Sequence, residues 1–377
     1  MPPDDDQERT AMPVFVGANR QGVPTKNVVV KGKSFAQITA EIVKAEAQWT
    51  DKLQRSVLSF FANGGEVCFV LLLHDFRNAS ALKRISGDVA RDVPAATLLL
   101  IPEMVGNTHT WEPILAEQAT GHRLFCLIDL ARDRGYAKAA LSDFSAELPN
   151  DVKRAGAAYW PYLIERSVDG DGMNEYSVPP SAAVAAAIQR TDMAAGVWTA
   201  PAGVRLPAVL RLDLEEGETD LYDTGGNTVR FFPGRGALLW GARTLASDMK
   251  DAGAYVQTKR TIDFIENGLK AQLRVMLFDV NDALLWRTCE ARVTVWLTEL
   301  WRAGGLSGAT AEAAFSVQVG EGVTMTAEDI AEGKLILHVR FSLHPVLADV
   351  TLTLTMLQGE SHVGVARSGE TLVGEVQ

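Results

Sequence analysis

The sequence predicts a mixed fold, α/β in its first half and α+β in its second, and two observations carry that reading. Up to about residue 165, short unbroken apolar runs alternate with helical patterns, as expected of strands covered on both faces. Beyond a polar break, the order changes to long amphipathic helices followed by strands near the C-terminus. With 377 residues and 47% hydrophobic content, the chain can build a substantial core.

The strand expectations in the first half fall on "NVVV" (27–30), "VCFVLLL" (67–73), "ATLLLI" (96–101), "LFCLID" (124–129) and "AAYWPYL" (157–163). Between them, helices are expected over 34–49, over 51–65 with Gly64 or Gly65 as the stop, over 80–92, and around "WEPILAEQAT". The stretch "RSVDGDGMNEYSVPPSAA" interrupts this periodicity with charges, glycines and a Pro pair, so a linker is expected there. In the second half the clearest helix is 282–302. Asp282 is its N-cap, Leu285, Cys289, Val293, Trp296, Leu297 and Leu300 form its apolar stripe, and Gly304 and Gly305 end it. "FSVQV", the helix start "TMTAEDIAEG", and the strands "KLILHVRFSL" and "VTLTLTML" follow. The expected organisation is a short N-terminal segment (1–24), an α/β domain (25–165), a linker (166–177), a second domain (178–358) and a polar tail (359–377).

Composition excludes several function classes. Lys+Arg number 36 against 47 Asp+Glu, and a formal charge of −11 argues against a general nucleic-acid binder. Three cysteines, Cys68, Cys126 and Cys289, lie in apolar or helical patterns and read as buried thiols in a reducing compartment. The acidic start "MPPDDDQERT" reverses the order of a secretory signal, and no apolar run approaches the length of a membrane span. The expectation is a soluble chain made in the cytoplasm.

The sequence holds few motifs that point to chemistry. "VRFFPGRGALLWGARTL" (229–245) superficially suggests a phosphate loop but lacks the Gly-Lys-Ser/Thr ending and the dinucleotide glycine spacing, so it reads as a tight Pro-Gly turn entering a packed segment. "DGDGMNE" lacks a full calcium-ligand series. The six histidines show no zinc spacing, and "GGLSGA" follows a helix rather than the strand a nucleophile elbow requires. Asp75 and Asp129 sit at strand ends where an open α/β sheet could bind a ligand, yet no base, nucleophile or cofactor motif accompanies them. No catalytic, cofactor or metal residue is assigned.

Read together, "FFANGGEVCFVLLL", "RAGAAYWPYL", "VPPSAAVAAAIQRTDMAAGVWTAPAG", "VRFFPGRGALLWGARTL" and "FDVNDALLWRTCEARVTVWLTELWRAGGLSGATAEAAFSV" resemble, in order and spacing, the tail sheath proteins of contractile phages, R-type tailocins and extracellular contractile injection systems. The resemblance covers about residues 12–358. It implies an outer α/β domain, a tube-proximal sheath core domain, and C-terminal strands used for pairing between subunits. It also implies a non-enzymatic structural polymer of hexameric rings, stacked helically around an inner tube and contracting to drive that tube through a target envelope. Its partners would be further copies of itself, the inner tube protein, and baseplate and terminator or cap proteins, with no nucleic acid, no membrane insertion and no cofactor. Assembly would occur in the bacterial cytoplasm, within a phage tail, tailocin or injection particle.

On this basis Phe231, Phe232, Pro233, Gly234, Arg235, Gly236, Trp240 and Arg243 form the sheath motif. The two turn formers are Pro233 and Gly234, the aromatic residues with Leu238 and Leu239 are packing, and Arg230, Arg235 and Arg243 are candidates for ion pairs. Val350, Leu352, Leu354 and Met356 mark the intersubunit strand. Lys259, Arg260, Lys270 and Arg274 are candidate tube or neighbour contacts on an amphipathic helix. Two features depart from the family: no extended N-terminal arm precedes "AMPVFVGA", and nineteen residues (359–377) follow the strand with which the family typically ends. A non-contracting cap, adaptor or end-layer paralogue is the alternative reading, with a small-molecule-binding α/β enzyme behind it.

Overall fold

The computed structural model describes residues 9–20, 27–74, 76, 79–119, 124–169, 172–214, 221, 225–246, 253–276, 279–343, 346–355 and 362–372. At 79–83, 167–169, 172–173, 346–355 and 362–372 the description is of backbone alone. The chain divides into two compact units, one of residues 1–248 and 253–259, the other of 249–252 and 260–377.

The first unit opens with β1 (Pro13–Ala18), β2 (Val28–Gly32), α1 (Phe35–Lys44), α2 (Asp51–Ala62), β3 (Cys68–Leu73), α3 (Ala79–Asp92), β4 (Leu98–Leu100), α4 (Thr108–Glu117) and β5 (Phe125–Asp129). It continues through α5 (Arg134–Glu147), α6 (Asn150–Lys153), β6 (Gly156–Trp160), β7 (Leu163–Asp169), β8 (Gly172–Val178), α7 (Ser181–Ala195), β9 (Val209–Leu212), β10 (Asn227–Phe232) and β11 (Gly236–Trp240). Small polar side chains start the helices. Ser34, Thr50, Asn107 and Asp133 each accept a backbone N–H from the first turn of α1, α2, α4 and α5.

An eight-stranded mixed sheet runs β11-β10-β6-β5-β4-β1-β3-β2. Its central β6-β5-β4-β1-β3 run is parallel, which is a doubly wound strand order. Alternate strand residues feed opposite faces. Phe15, Val70, Leu72, Leu98, Leu100, Phe125 and Leu127 pack with α1, α2 and α7. Val14, Val16, Leu71, Leu99, Cys126 and Ile128 pack with α3, α4 and α5. Burial on both faces is why these strands read as unbroken apolar runs.

Helix α7 explains the alanine-rich "SAAVAAAIQ". Every residue from Ser181 to Gln189 is buried, because the helix packs against α2 and against β4 and β5 of the sheet. Small side chains let its backbone approach closely, and a larger residue would overpack the site.

The expected linker at 166–177 is instead a hairpin. β7 pairs antiparallel with β8 on one side and with β9 on the other. Arg166–Asp169 and Gly172–Glu175, which read as a break, pair with each other instead. The sheet also runs past the expected boundary: Asn227 and Thr228 of β10 pair in parallel with Tyr159 and Trp160 of β6. Segment 229–245, expected in the second domain, therefore extends the α/β sheet of the first unit.

The helix α8 (Val256–Arg274) crosses the division between Lys259 and Arg260. The second unit then contains α9 (Ala283–Arg302), α10 (Ala311–Ala314), β12 (Phe315–Val319), α11 (Ala327–Ala331), β13 (Lys334–Leu343), β14 (Val346–Thr355) and β15 (His362–Leu372). Asp282 caps α9 as expected, accepting from the Leu284 and Leu285 N–H groups at 2.9 Å each. Leu285, Cys289, Val293, Leu297 and Leu300 are buried, and α9 packs against β12. Trp296 is half-buried, with its ring 6.0 Å from that of Phe264 on α8. Strands β12-β13-β14-β15 form an antiparallel sheet. In β13 the residues Leu335, Leu337, Val339, Phe341 and Leu343 are buried while His338 and Arg340 are exposed, the period-two pattern read in the sequence.

Candidate assembly interface

The distinctive segment 227–243 is a hairpin whose every special residue has a geometric reason. Pro233 and Gly234 occupy the two central positions of a turn closed by the Arg235 N–H donating to the Phe232 carbonyl at 3.0 Å. Gly234 has φ +76°, the left-handed value that the second central residue of a type II turn requires after proline. Gly236, at φ +78°, completes the reversal. On one face the Arg230 guanidinium lies 5.1 Å from the centre of the Trp240 ring, and Phe232 packs 5.2 Å from the same ring. Leu238 and Leu239 are buried as expected. Phe231 is not, at 49% exposure, and Arg235 is exposed at the tip beside it.

Behind the hairpin, Asn227 fixes the backbone of Arg243. Its side chain accepts from the Arg243 N–H and donates to the Arg243 carbonyl, both at 2.7 Å, and it is fully buried. The outer edge of β11 is itself covered: Leu206 donates to the Ala237 carbonyl and Leu239 to the Val204 carbonyl, each at 2.9 Å. The hairpin tip, rather than this strand edge, is what the segment presents to solvent.

The strand expected to pair between subunits is β14. In the chain it is central: Val350 stands opposite Val339 on one side and Arg367 on the other, Leu352 opposite Leu337 and Val365, and Leu354 opposite Leu335 and Val363. Met356 lies outside the described residues. The additional C-terminal residues supply β15, and a register shift falls between Asp349 and Val350. The outer edge of β15 ends the sheet and faces no further strand among the described residues.

The four candidate cations separate by exposure. Lys259 and Arg260 are each only 5% exposed, which withdraws them from any surface contact in this conformation. Lys270 is half-buried and Arg274 exposed. Sequence periodicity placed the four on one helix but could not show which turn of it is buried.

Asp129, the strand-end carboxylate of the enzyme alternative, has a structural role. It is 2% exposed and accepts from the Ser181 N–H at 2.8 Å and the Ser181 hydroxyl at 2.6 Å. Pro180, at the N-cap of α7, has no side chain able to cap, so a carboxylate from β5 does so from across the sheet. Burial pushes the Asp129 carboxyl up to about 6, opposed by the two Ser181 hydrogen bonds and by Lys52. Asp75 lies outside the described residues.

Two further polar anchors escaped sequence reasoning. Fully buried Glu165 accepts from Asn63 at 2.8 Å, Ser59 at 2.9 Å and Tyr176 at 3.3 Å, and burial raises its carboxyl above the ordinary range. This ties α2 to the β7–β8 hairpin. Gln189 donates to the carbonyls of Ala11 and Val67 and accepts from the Glu66 and Val67 N–H groups, joining the entries to β1 and β3. The one signal for them was a polar residue inside an apolar pattern, "YLIE" and "AAAIQ".

No protein-family model and no curated protein matches the chain. Among solved structures, a sheath complex of an extracellular contractile injection system (PVC) in its contracted state is similar at 26% identity, covering 89% of this chain and 88% of that one, with a TM-score of 0.70. The contracted anti-feeding prophage baseplate contains a chain 28% identical, covering 91% and 92%, with a TM-score of 0.71. The sheath tail protein of Listeria innocua, 8% identical over 97% and 96% with a TM-score of 0.59, shares the fold alone. The chain is a contractile sheath protein. More particularly, it is the sheath protein of a contractile injection system, a structural component of the particle rather than an enzyme.

Proposed function

We propose that copies of this chain form hexameric rings stacked helically around an inner tube, and that the stack shortens to drive the tube through a target envelope. The observation that carries this reading is the likeness of about nine-tenths of the chain to a sheath complex in a contracted state. Contraction requires contacts that persist and contacts that change. The persistent kind is assigned to the C-terminal sheet, where main-chain hydrogen bonds between strands resist pulling while their connections flex. The register that pairs β14 with β13 and β15 inside one chain can equally be satisfied between neighbours, as in domain swapping. Val350, Leu352 and Leu354 would then be exchanged together with β15, whose outer edge is the place for a further strand.

The changing contacts are assigned to polar surface, with Lys270, Arg274 and the hairpin tip at Arg235 as the residues that meet tube or neighbour. Such a heterologous interface does not close on itself, so it propagates, and an extended state can persist behind a kinetic barrier. Assembly in the bacterial cytoplasm, on an inner tube and between a baseplate and a terminator, completes the proposal. Its test is negative-stain microscopy and sedimentation of the full chain, with and without the tube protein, beside a chain ending at Asp349, which lacks Val350–Thr355 of β14 and all of β15. The full chain should form rings or tubes and the truncated one should remain folded and monomeric; normal tubes from the truncated chain refute the strand assignment.

A further inference from the structure

The tip of the β10–β11 hairpin joins an exposed ring to uncompensated charge. Phe231 stands opposite Ala237, on the face of β10 that sends Val229 into the core, and is left 49% exposed. Three arginines gather at the same end. Arg190 donates from Nη2 to the Arg205 carbonyl at 2.6 Å, and the Arg205 Nε lies 3.6 Å from the place a Cβ would take on Gly236, the neighbour of Arg235. None of the three makes an ion pair among the described residues. The carboxylates described on adjoining segments are engaged elsewhere: Asp192 with Thr10, Asp213 with Arg132 and Ser177, and Glu175 with Arg211. The Arg190 Nε is shut off from solvent without a hydrogen-bond partner among the described residues, and burial lowers the pKa of that guanidinium from its ordinary value. A desolvated cation without a counter-charge is costly, and an aromatic ring among arginines is the composition that dominates binding energy at interfaces.

We infer that Phe231, Arg190, Arg205 and Arg235 form a docking patch for a carboxylate-bearing surface of a second copy of the chain. The inference rests on self-assembly as proposed above and narrows its tube-or-neighbour contact at the hairpin tip to the neighbour. Charge selects the second copy. The chain holds 47 Asp+Glu against 36 Lys+Arg, so two copies repel unless a local cationic patch on one meets the acidic remainder of the other. Such a contact joins different surfaces of the two copies, and contacts of that kind repeat along a stack instead of closing on a pair. Docking would bury the Phe231 ring and give the arginines the counter-charge that the single chain withholds. The ring supplies apolar area at the centre, and the arginines supply orientation through their planar forks.

The test has two arms. In the first, the photocrosslinker p-benzoylphenylalanine replaces Phe231 in a mixture of ordinary and heavy-isotope copies of the full chain, with the tube protein present. Mass spectrometry should find mixed-isotope crosslinks to a peptide that carries Asp or Glu. Crosslinks confined to one molecule, crosslinks to the tube protein, or none at all overturn the inference. In the second arm, Arg205→Glu/Arg235→Glu should raise the critical concentration for polymer about ten-fold or more. Lys33→Glu/Lys138→Glu makes the same change of net charge at exposed lysines elsewhere on the unit and should leave that concentration within about two-fold. Unchanged circular-dichroism melts establish that both variants are folded. Equal effects of the two overturn the inference, and polymer from the arginine variant at the wild-type concentration does so while the sheath reading stands. A full chain that forms no polymer under any condition counts against the sheath reading instead, and the crosslinking arm, run on the concentrated chain, still decides the contact.

Discussion

Asp129→Asn separates a structural carboxylate from a chemical one. The wild-type side chain is buried, makes two hydrogen bonds to Ser181, and has its carboxyl raised from 3.8 to about 6. A shift of that size disfavours the ionised form in the folded state by about 3 kcal/mol. Because the folded value lies above the unfolded one, the folded state holds the extra proton between pH 4 and 6. Stability from this group is complete below pH 4 and is lost as pH rises through 6. Asparagine keeps the acceptor for the Ser181 N–H and never ionises. Relative to wild type, Asp129→Asn should therefore gain up to about 3 kcal/mol between pH 4 and pH 8. Asp129→Ala loses both hydrogen bonds and leaves the first N–H of α7 buried without a partner, so it should be destabilised by about 1–3 kcal/mol. Urea unfolding of the three proteins at pH 4, 6 and 8 measures the differences and cancels the other carboxylates. If Asp129→Asn at pH 8 loses as much stability as Asp129→Ala, or if its difference from wild type does not move with pH, the reasoning is refuted.

Two further predictions concern glycines. Gly234→Ala places a methyl in open space, so its whole cost is the left-handed backbone at φ +76°, about 1 kcal/mol in urea unfolding; no measurable loss would mean that the turn is not the type II turn described. Gly268→Ala on α8 puts its methyl into the Trp296 indole, and despite alanine's better helix propensity it should cost about 1–3 kcal/mol and shift the tryptophan emission. A stabilised Gly268→Ala would show that α8 and α9 are not packed this closely.

The sequence was most legible where burial is symmetric. The runs at 67–73, 96–101 and 124–129 became central parallel strands because both faces of that sheet are covered, leaving no polar alternation to confuse the pattern. The Pro233-Gly234 turn and the Asp282 cap were legible because each depends on one residue's own chemistry. Reading failed where a long-range partner decides the outcome. Asp-Gly dipeptides suggested a linker at 166–177, where β7 and β8 pair instead, and nothing local in the sequence tells that Glu165 of β7 is buried and accepts from Ser59 and Asn63. Likewise, no local signal tells that Lys259 and Arg260 are buried while Arg274, on the same helix, is exposed.

These buried polar anchors bear on how a shortening polymer can keep its subunits intact. Asp129 holds the start of α7, Gln189 ties its later turns to the entries of β1 and β3, and Glu165 fastens α2 to the β7–β8 hairpin. Two of the three are carboxylates whose ionised form burial disfavours, so apolar packing alone would give comparable or greater stability at neutral pH. What they add is directionality. Each hydrogen bond fixes one element against another at a defined angle, which apolar contact does not. A subunit that must carry force has reason to keep such bonds inside its α/β unit. On the assembly proposed above, deformation would fall instead on the strand pairings of the C-terminal sheet, whose hydrogen bonds would be remade between neighbours.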